Sequence, residues 1–426
     1  MANTLFKNVT ILDSTGGKPY AGEVLVQGNR IKSVAKGKGQ LKDDNARVVD
    51  GGGATLMSGL CDAHTHLSWI DQAGLDKIGL MPVEEHILYA AGSAKKYLDS
   101  GYTMCCGAAA AKPRLDVVIR NAINSGQIPG PRYLANGPEI STIGGLGDEN
   151  PSHISSYSFV EIINGPEEMR RTVRTLLKEG VDQIKLNLSG ESITGRLMAE
   201  DTTMSEEEVA MAVREARRKH GIRICSHARS TESIKMSLRH GIDIIYHASF
   251  VDDEALDMLE EQKDRIFVAP GLGWLVQTAY GASDWGVTPE IAAQLGYVRE
   301  LEAAVESMKK MLARGIKVLP GGDYGFAWTP HGTYAKDLEY FVDMLGLSPM
   351  DTIISATRWG GEIMKQPDEL GQIKEGFLAD IILVDGDPLQ DIKVFQDHSR
   401  ILGIMKDGEF HKEPERAKNQ QQRVAS

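Results

Sequence analysis

The chain is short of the residues that staple or anchor a fold. Only four cysteines, Cys61, Cys105, Cys106 and Cys225, stand among 426 residues. None forms a C-x-x-C pair and no zinc-finger spacing occurs, so a disulfide or zinc-ribbon framework is not expected. All four fall in apolar, strand-like runs and read as small buried thiols, which suits a reducing cytoplasm. No apolar run approaches the roughly 20 residues of a membrane span. The first 13 residues lack the basic start and apolar stretch of a signal peptide. A cytoplasmic protein without a membrane partner is the expectation. An excess of positive charge is also missing, since the formal net charge is -12. Nucleic acid, which would require a basic patch, is therefore not an expected partner. A small-molecule substrate is compatible with this balance.

What is present is a change of texture along the chain. Residues 6–12, 23–27, 30–34 and 46–49 are short β-rich runs, with Gly28-Asn29 marking a tight hairpin. A second β-rich patch occupies 379–384 and 401–406. Between these patches, eight apolar runs alternate with helical patterns: 55–62, 103–107, 132–135, 183–188, 223–226, 242–246, 266–269 and 317–319. The helical patterns include 82–100, 167–179, 205–220, 230–240, 253–262 and 288–314, with closing helices at 337–345 and 349–364. Such alternation predicts an α/β protein with a (β/α)8 TIM barrel. A residual tail, 412–426, is rich in Lys, Arg, Gln and Glu, has little to bury and is expected to fray; a basic recognition tail is the alternative.

Candidate metal ligands sit at the ends of the apolar runs. His64 and His66 close the first; residues i and i+2 of a strand face one side, so both imidazoles can grip one ion. His227 follows the fifth run, His247 the sixth and Asp323 the eighth. Each histidine alone also fits a hydrogen-bonded core position. Together they converge, because the C-terminal strand ends of a parallel barrel share one face. Lys185 lies inside a run otherwise suited to a buried strand. Desolvation lowers a lysine pKa, and a neutral amine can take up carbon dioxide to become a bidentate carbamate. A lysine snorkelling to the barrel rim is the competing reading.

The stretches Met57-Ser58-Gly59-Leu60-Cys61-Asp62-Ala63-His64-Thr65-His66, Asp182-Gln183-Ile184-Lys185, Ser226-His227-Ala228, Tyr246-His247-Ala248 and Gly321-Gly322-Asp323, in that order, resemble the amidohydrolase superfamily, in its two-metal, carboxylated-lysine subgroup. A further match is Gly376-Phe377-Leu378-Ala379-Asp380-Ile381-Ile382-Leu383-Val384 with Asp387-Pro388, which in that family marks the return of the chain to a small β-sandwich. The resemblance runs from about residue 5 to about residue 410. It implies a β-sandwich built from 1–56 and 365–411 around a barrel at 57–364. It implies that His64, His66 and Asp323 hold one metal, that His227 and His247 hold a second, and that N-carboxylated Lys185 bridges them. Nitrogen and oxygen donors at an open hydrolytic site favour zinc over manganese, cobalt or iron. The implied reaction is attack of a metal-bridging hydroxide on an amide-type C–N bond, with Asp323 as general base and then acid. A homo-oligomer is also implied.

Within the superfamily the phrases Gly180-Val181-Asp182-Gln183-Ile184-Lys185, His247-Ala248-Ser249-Phe250-Val251-Asp252-Asp253 and Pro330-His331-Gly332 resemble the branch of Xaa-Arg and Xaa-Pro dipeptidases and ochratoxin amidases, which is similar to phenylurea and thiocarbamate hydrolases. Two departures blur the substrate. Relatives often carry histidine where Leu146 stands in Gly144-Gly145-Leu146-Gly147-Asp148, and tyrosine where Arg229 stands. Arg229 either clamps a substrate carboxylate or pairs with Asp148 or Glu149 as a structural bridge. Trp69, Trp274, Trp285 and Trp328 either line an apolar pocket or pack loops. His331, eight residues past Asp323, and Tyr324 beside it are further candidate substrate contacts. The alternatives are a urea, carbamate or thiocarbamate hydrolase, a deaminase, against which Lys185 argues, and a non-catalytic assembly protein, against which the filled ligand set argues.

Overall fold

The computed structural model describes residues 3–148, 150–153, 158–194 and 196–414. Glu149 and the tail beyond residue 414 lie outside the described residues. The expected tail begins later than Lys412: this residue closes the strand Glu409–Lys412, and Glu413 pairs with Arg47 at 2.8 Å.

Three sheets organise the described residues. The first is an eight-stranded, mostly antiparallel sheet drawn from both chain ends. Its core strand Thr4–Leu12 pairs with Tyr20–Gln27, which turns at Gly28-Asn29 into Arg30–Lys36. Ile381–Val384 and Ile401–Lys406 join from the far end of the chain. The other two sheets are parallel. One holds Leu60–Thr65, Tyr102–Gly107 and Arg132–Leu134. The other runs from Gln183–Asn187 through Arg223–Ala228 and Ile244–His247 to Phe267–Ala269, with Ile140–Thr142 and Glu161–Ile163 on its first edge.

The first apolar run, 55–62, is not one strand. Thr55–Ser58 belongs to the chain-end sheet and Leu60–Thr65 to a parallel sheet. The chain crosses at Gly59, whose N–H donates to the Asp380 carbonyl (3.0 Å). A Cβ there would fall 2.4 Å from Thr103 Cγ2, so only glycine lets the two sheets approach. The eighth run, 317–319, makes a single parallel bridge, Val268 to Val318, with Leu319 N–H donating to the Val268 carbonyl (2.8 Å). Ala63 N–H donates to Pro320 (2.9 Å) and Asp182 N–H to Ala135 (2.8 Å), so the margins of the parallel sheets are linked to one another. Ile140–Thr142 and Glu161–Ile163 were not expected; at three residues each they carry too little pattern to stand out.

Helices cover the parallel sheets. Ser205 starts Glu206–Ala216 with a capping box to Glu208, which satisfies two otherwise orphaned donors. The expected helix 288–314 is broken into Pro289–Gln294 and Tyr297–Ala313 around Gly296, which is left-handed (φ 88°). The pattern 349–364 likewise divides at Thr357 into Pro349–Ala356 and Arg358–Ile363. All four cysteines are buried and free, and burial pushes the Cys225 thiol up to about 12. Among the described residues no helix is long and apolar enough to cross a membrane.

Asp116, in Leu115–Asn124, is fully buried against the Tyr133 hydroxyl and Asn136 N–H. Burial pushes its carboxyl up to about 7. A carboxyl raised in the folded state favours the protonated form there, so its contribution is present below about pH 4 and is lost as pH rises towards 7. Asp116→Asn should therefore lose less stability than the parent between pH 5 and pH 8, measured as the change in Tm across that range. An unchanged slope would show that Asp116 ionises freely in the folded protein.

Candidate metal centre

Successive parallel strands deliver the candidate ligands to neighbouring ends. Lys185 pairs with Cys225 in register, Asn187 with His227, and Ala228 with His247. His64 and His66 emerge from Leu60–Thr65 with their rings 5.2 Å apart. Asp323 arrives in the loop after 317–319. That loop lies directly on the first strand, because Gly321 carries no Cβ to meet His64 N at 2.7 Å. Asp337 holds it there, its carboxylate accepting from Gly321 N–H (2.8 Å) and Gly273 N–H (2.9 Å). His247, Ala248 and Asp323 all adopt left-handed backbone (φ 74°, 49° and 60°). Each costs on the order of 1–3 kcal/mol in a residue with a side chain, so two candidate ligands, His247 and Asp323, stand on strained backbone.

The side chains converge. One ligand atom each from His64, His247 and Asp323 lie within 4.8 Å of one another. Asp323 Oδ1 is 3.3 Å from His66 Nε2 and 3.8 Å from His64 Nε2. The His227 and His247 rings are 4.3 Å apart. His66 Nδ1 donates to the Ala109 carbonyl (3.2 Å), which turns its Nε2 lone pair inward. Burial drives His64, His227 and His247 well below the usual imidazole range, so they are neutral, the form that ligates metal. Burial alone would raise Asp323, but His64, His66 and Lys185 outweigh it and hold the carboxyl below the usual range. His64 Nδ1 and both nitrogens of His247 are buried without a hydrogen-bond partner among the described residues. Buried polar atoms are ordinarily satisfied, and a divalent cation is the partner that neutral imidazoles and a carboxylate fit. Lys185 is 1% exposed, with Nζ over the Tyr246 ring (4.4 Å) and 4.0 Å from Glu139.

A profile of the amidohydrolase family matches residues 55–410. The chain belongs to the amidohydrolase family. It is thus a hydrolase of amide-type C–N bonds, and the family's need for divalent metal accords with the possible site at His64, His247 and Asp323. Ochratoxinase of Aspergillus niger is 26% identical over 379 residues, covering 84% of this chain and 76% of the relative. The structure of a Xaa-Pro dipeptidase with bound methionine in its active site superposes with a TM-score of 0.85 at 27% identity, covering 96% of this chain and all of that one. Phenylurea hydrolase B shares the fold, with a TM-score of 0.76 at 19% identity over 96% of each chain.

The centre of this amidohydrolase opens on a cavity of about 50 Å³. Trp69, stacked on His66 (4.1 Å), Trp274, Phe159, Phe326, Leu75, Leu146 and Ile193 give it apolar walls, while Glu139 and Glu191 add carboxylates that were not anticipated. Neither His331 nor Tyr324 lines it. His331 Nε2 donates to the Trp69 carbonyl (2.8 Å) and its Nδ1 accepts from the Tyr334 hydroxyl (3.1 Å), so it braces the Trp69 loop. The Tyr324 hydroxyl donates to the Tyr334 carbonyl (3.1 Å) and is buried. Trp285 is exposed, and Trp328 is spent on Thr278 Oγ1 (2.9 Å). A larger groove of about 530 Å³, around Leu80, Met81 and Lys112, contains none of the ligands.

Arg229 does not pair with Asp148, whose carboxylate accepts from Gly144 N–H (2.8 Å) instead. Its guanidinium is buried between Glu191 and Glu300, and its Nε donates to His227 Nε2 (3.1 Å). Tyr297 donates to Glu191 (2.8 Å) and Ser249 to Glu300 (2.7 Å). Removing one partner of such a set strands the others. Arg229→Met should lower stability by about 3–5 kcal/mol, and adding Glu191→Gln and Glu300→Gln should restore much of the loss, read by denaturant unfolding. A loss below about 1 kcal/mol for Arg229→Met would mean the two carboxylates are not held as charges.

Proposed function

We propose that the parallel strands form a (β/α)8 barrel, 57–364, carried by a small β-sandwich from 1–56 and 365–411, and that the enzyme hydrolyses an amide bond in a small molecule. The single observation that carries this reading is the set of buried, neutral, partly unsatisfied imidazoles around Asp323. The links between sheet margins at Ala63, Ala135 and Val268 support the barrel.

His64, His66 and Asp323 would hold one divalent ion and His227 and His247 a second, with N-carboxylated Lys185 as a ligand shared between them. Two such ions, zinc by the nitrogen and oxygen donor set, supply Lewis acidity that polarises a carbonyl and acidifies a water. Asp323 orients that water and takes its proton. The water oxygen joins the carbonyl carbon, the C–N bond breaks, and Asp323 passes the proton to the leaving nitrogen. Trp69, Phe159 and Trp274 exclude bulk water and present apolar surface to the substrate.

Dipeptides, N-acyl amino acids and related amides are the first substrates to consider, supported by the names of the ochratoxinase and Xaa-Pro dipeptidase relatives. The aromatic walls favour a second reading, an aryl urea or carbamate. A cavity of about 50 Å³ is far below the roughly 300 Å³ of a typical ligand site. Substrate entry must therefore displace covering side chains such as Leu75, Leu146, Phe159 or Ile193.

Metal content per chain by mass spectrometry tests the centre. The parent should carry two divalent ions and Lys185→Ala markedly fewer; one ion in both would remove Lys185 as a bridge. On dipeptides, N-acyl amino acids and aryl ureas, Asp323→Asn should reduce kcat by about 10²–10⁴-fold. Residual activity within tenfold of the parent would exclude Asp323 as the proton carrier.

A further inference from the structure

Glu139 has no part in the chemistry above, yet it is buried beside it. Its side chain is 8% exposed and lines the cavity. The strand Ile140–Thr142 fixes it there, since the Glu139 carbonyl accepts from Glu161 N–H (2.9 Å) in the ladder between the two short strands. Among the described residues it joins no cluster of three ligand-type side chains, so it stands apart from His64, His247 and Asp323. Its nearest cation is Lys185 Nζ at 4.0 Å, beyond hydrogen-bond reach.

The neighbourhood offers this carboxylate little else. Of the residues that line the cavity, Lys185 is the one lysine or arginine, against the acids Glu139, Glu191 and Asp323. Glu191 is taken up by Arg229 and Tyr297, and Arg229 is itself consumed by Glu191, Glu300 and His227. No arginine among these residues is therefore left for a substrate carboxylate. Among the described residues no N–H or hydroxyl donates a hydrogen bond to the Glu139 carboxylate, and its ion pair with Lys185 at 4.0 Å is a loose one. The walls around it, Trp69, Phe159, Trp274 and Phe326, present ring faces that attract cations.

We propose that Glu139 binds a cationic nitrogen of the substrate, a free ammonium next to the scissile amide. The inference rests on the amide hydrolysis proposed for this centre and narrows its substrate class to unblocked aminoacyl amides, rather than N-acylated amino acids. Glu139 then recognises the amine while the metal centre takes the carbonyl. Of Arg229, Glu191 and Glu300, only Glu191, an acid, lines the cavity, so the Arg229 network contributes no anion site there.

Matched aminoacyl anilides, free and N-acetylated at the amine, test this with the metal-loaded enzyme. The parent should favour the free amines by roughly tenfold or more in kcat/KM, the contribution of a charge-assisted contact, and mainly through KM. Glu139→Gln should bring the ratio between the two series close to one, and Glu139→Asp should keep part of it. A parent that cleaves both series equally, or prefers the acetylated one, overturns the proposal without any variant having to fold. So does a Glu139→Gln protein that retains the parent's ratio. Calorimetric binding of amino-acid amides against their N-acetyl forms separates the two readings when neither anilide is cut. Ammonium-selective binding that Glu139→Gln abolishes upholds the role of Glu139 while counting against anilide-type hydrolysis; unselective binding overturns the role of Glu139.

Discussion

Burying Asp323 among the imidazoles of His64, His66, His227 and His247 sets the terms for everything around it. A carboxylate and unprotonated ring nitrogens form an electron-rich pit, and a cation is the partner that satisfies it. The fold supplies the constraint that keeps the donors together regardless. His247, Ala248 and Asp323 are held in left-handed backbone. Asp337 ties the Asp323 loop to the helix Leu272–Tyr280 by accepting from Gly321 N–H and Gly273 N–H. Gly321 lets that loop rest on His64. These devices oppose the relaxation that would otherwise separate the ligands, which is how a metal site is preorganised.

Charge is managed differently a few ångströms away. Arg229, Glu191 and Glu300 are all buried, and Tyr297, Ser249 and His227 add hydrogen bonds to them. The Arg229 guanidinium also lies 5.1 Å over the Trp274 ring. A network of this kind holds its members rigidly and has nothing left to offer a ligand. Arg229 is thus turned to the protein. Selectivity falls instead to the walls, where aromatic side chains stand beside the loosely paired Glu139.

The walls come from several loops at the strand ends, whereas the ligands come from the strands and their immediate ends. This division lets the metal chemistry stay in place while the shape and charge of the cavity vary. Tyr324, next to Asp323, and His331, eight residues on, do not line the cavity. Both turn into the aromatic packing around Tyr334, where His331 supports the Trp69 loop from behind.

Period-two alternation and the placement of histidines at the ends of apolar runs are local properties, so His64, His66, His227, His247 and the strand that carries Lys185 are legible from the chain alone. So are the alternating β and α texture and the hairpin at Gly28-Asn29. Other features are not local. Arg229 meets Glu300 across 71 residues, and His331 meets the Trp69 carbonyl across 262; no spacing encodes such pairs. Gly59 splits one apolar run between two sheets because Thr103 packs against it, and Glu139 enters the cavity because a three-residue strand turns it inward. The sequence by itself determined which residue types could hold a metal and on which strands they lie. The tertiary structure alone decided which charges were neutralised and which faced the cavity, because burial and pairing depend on residues that meet only when the sheets close on one another.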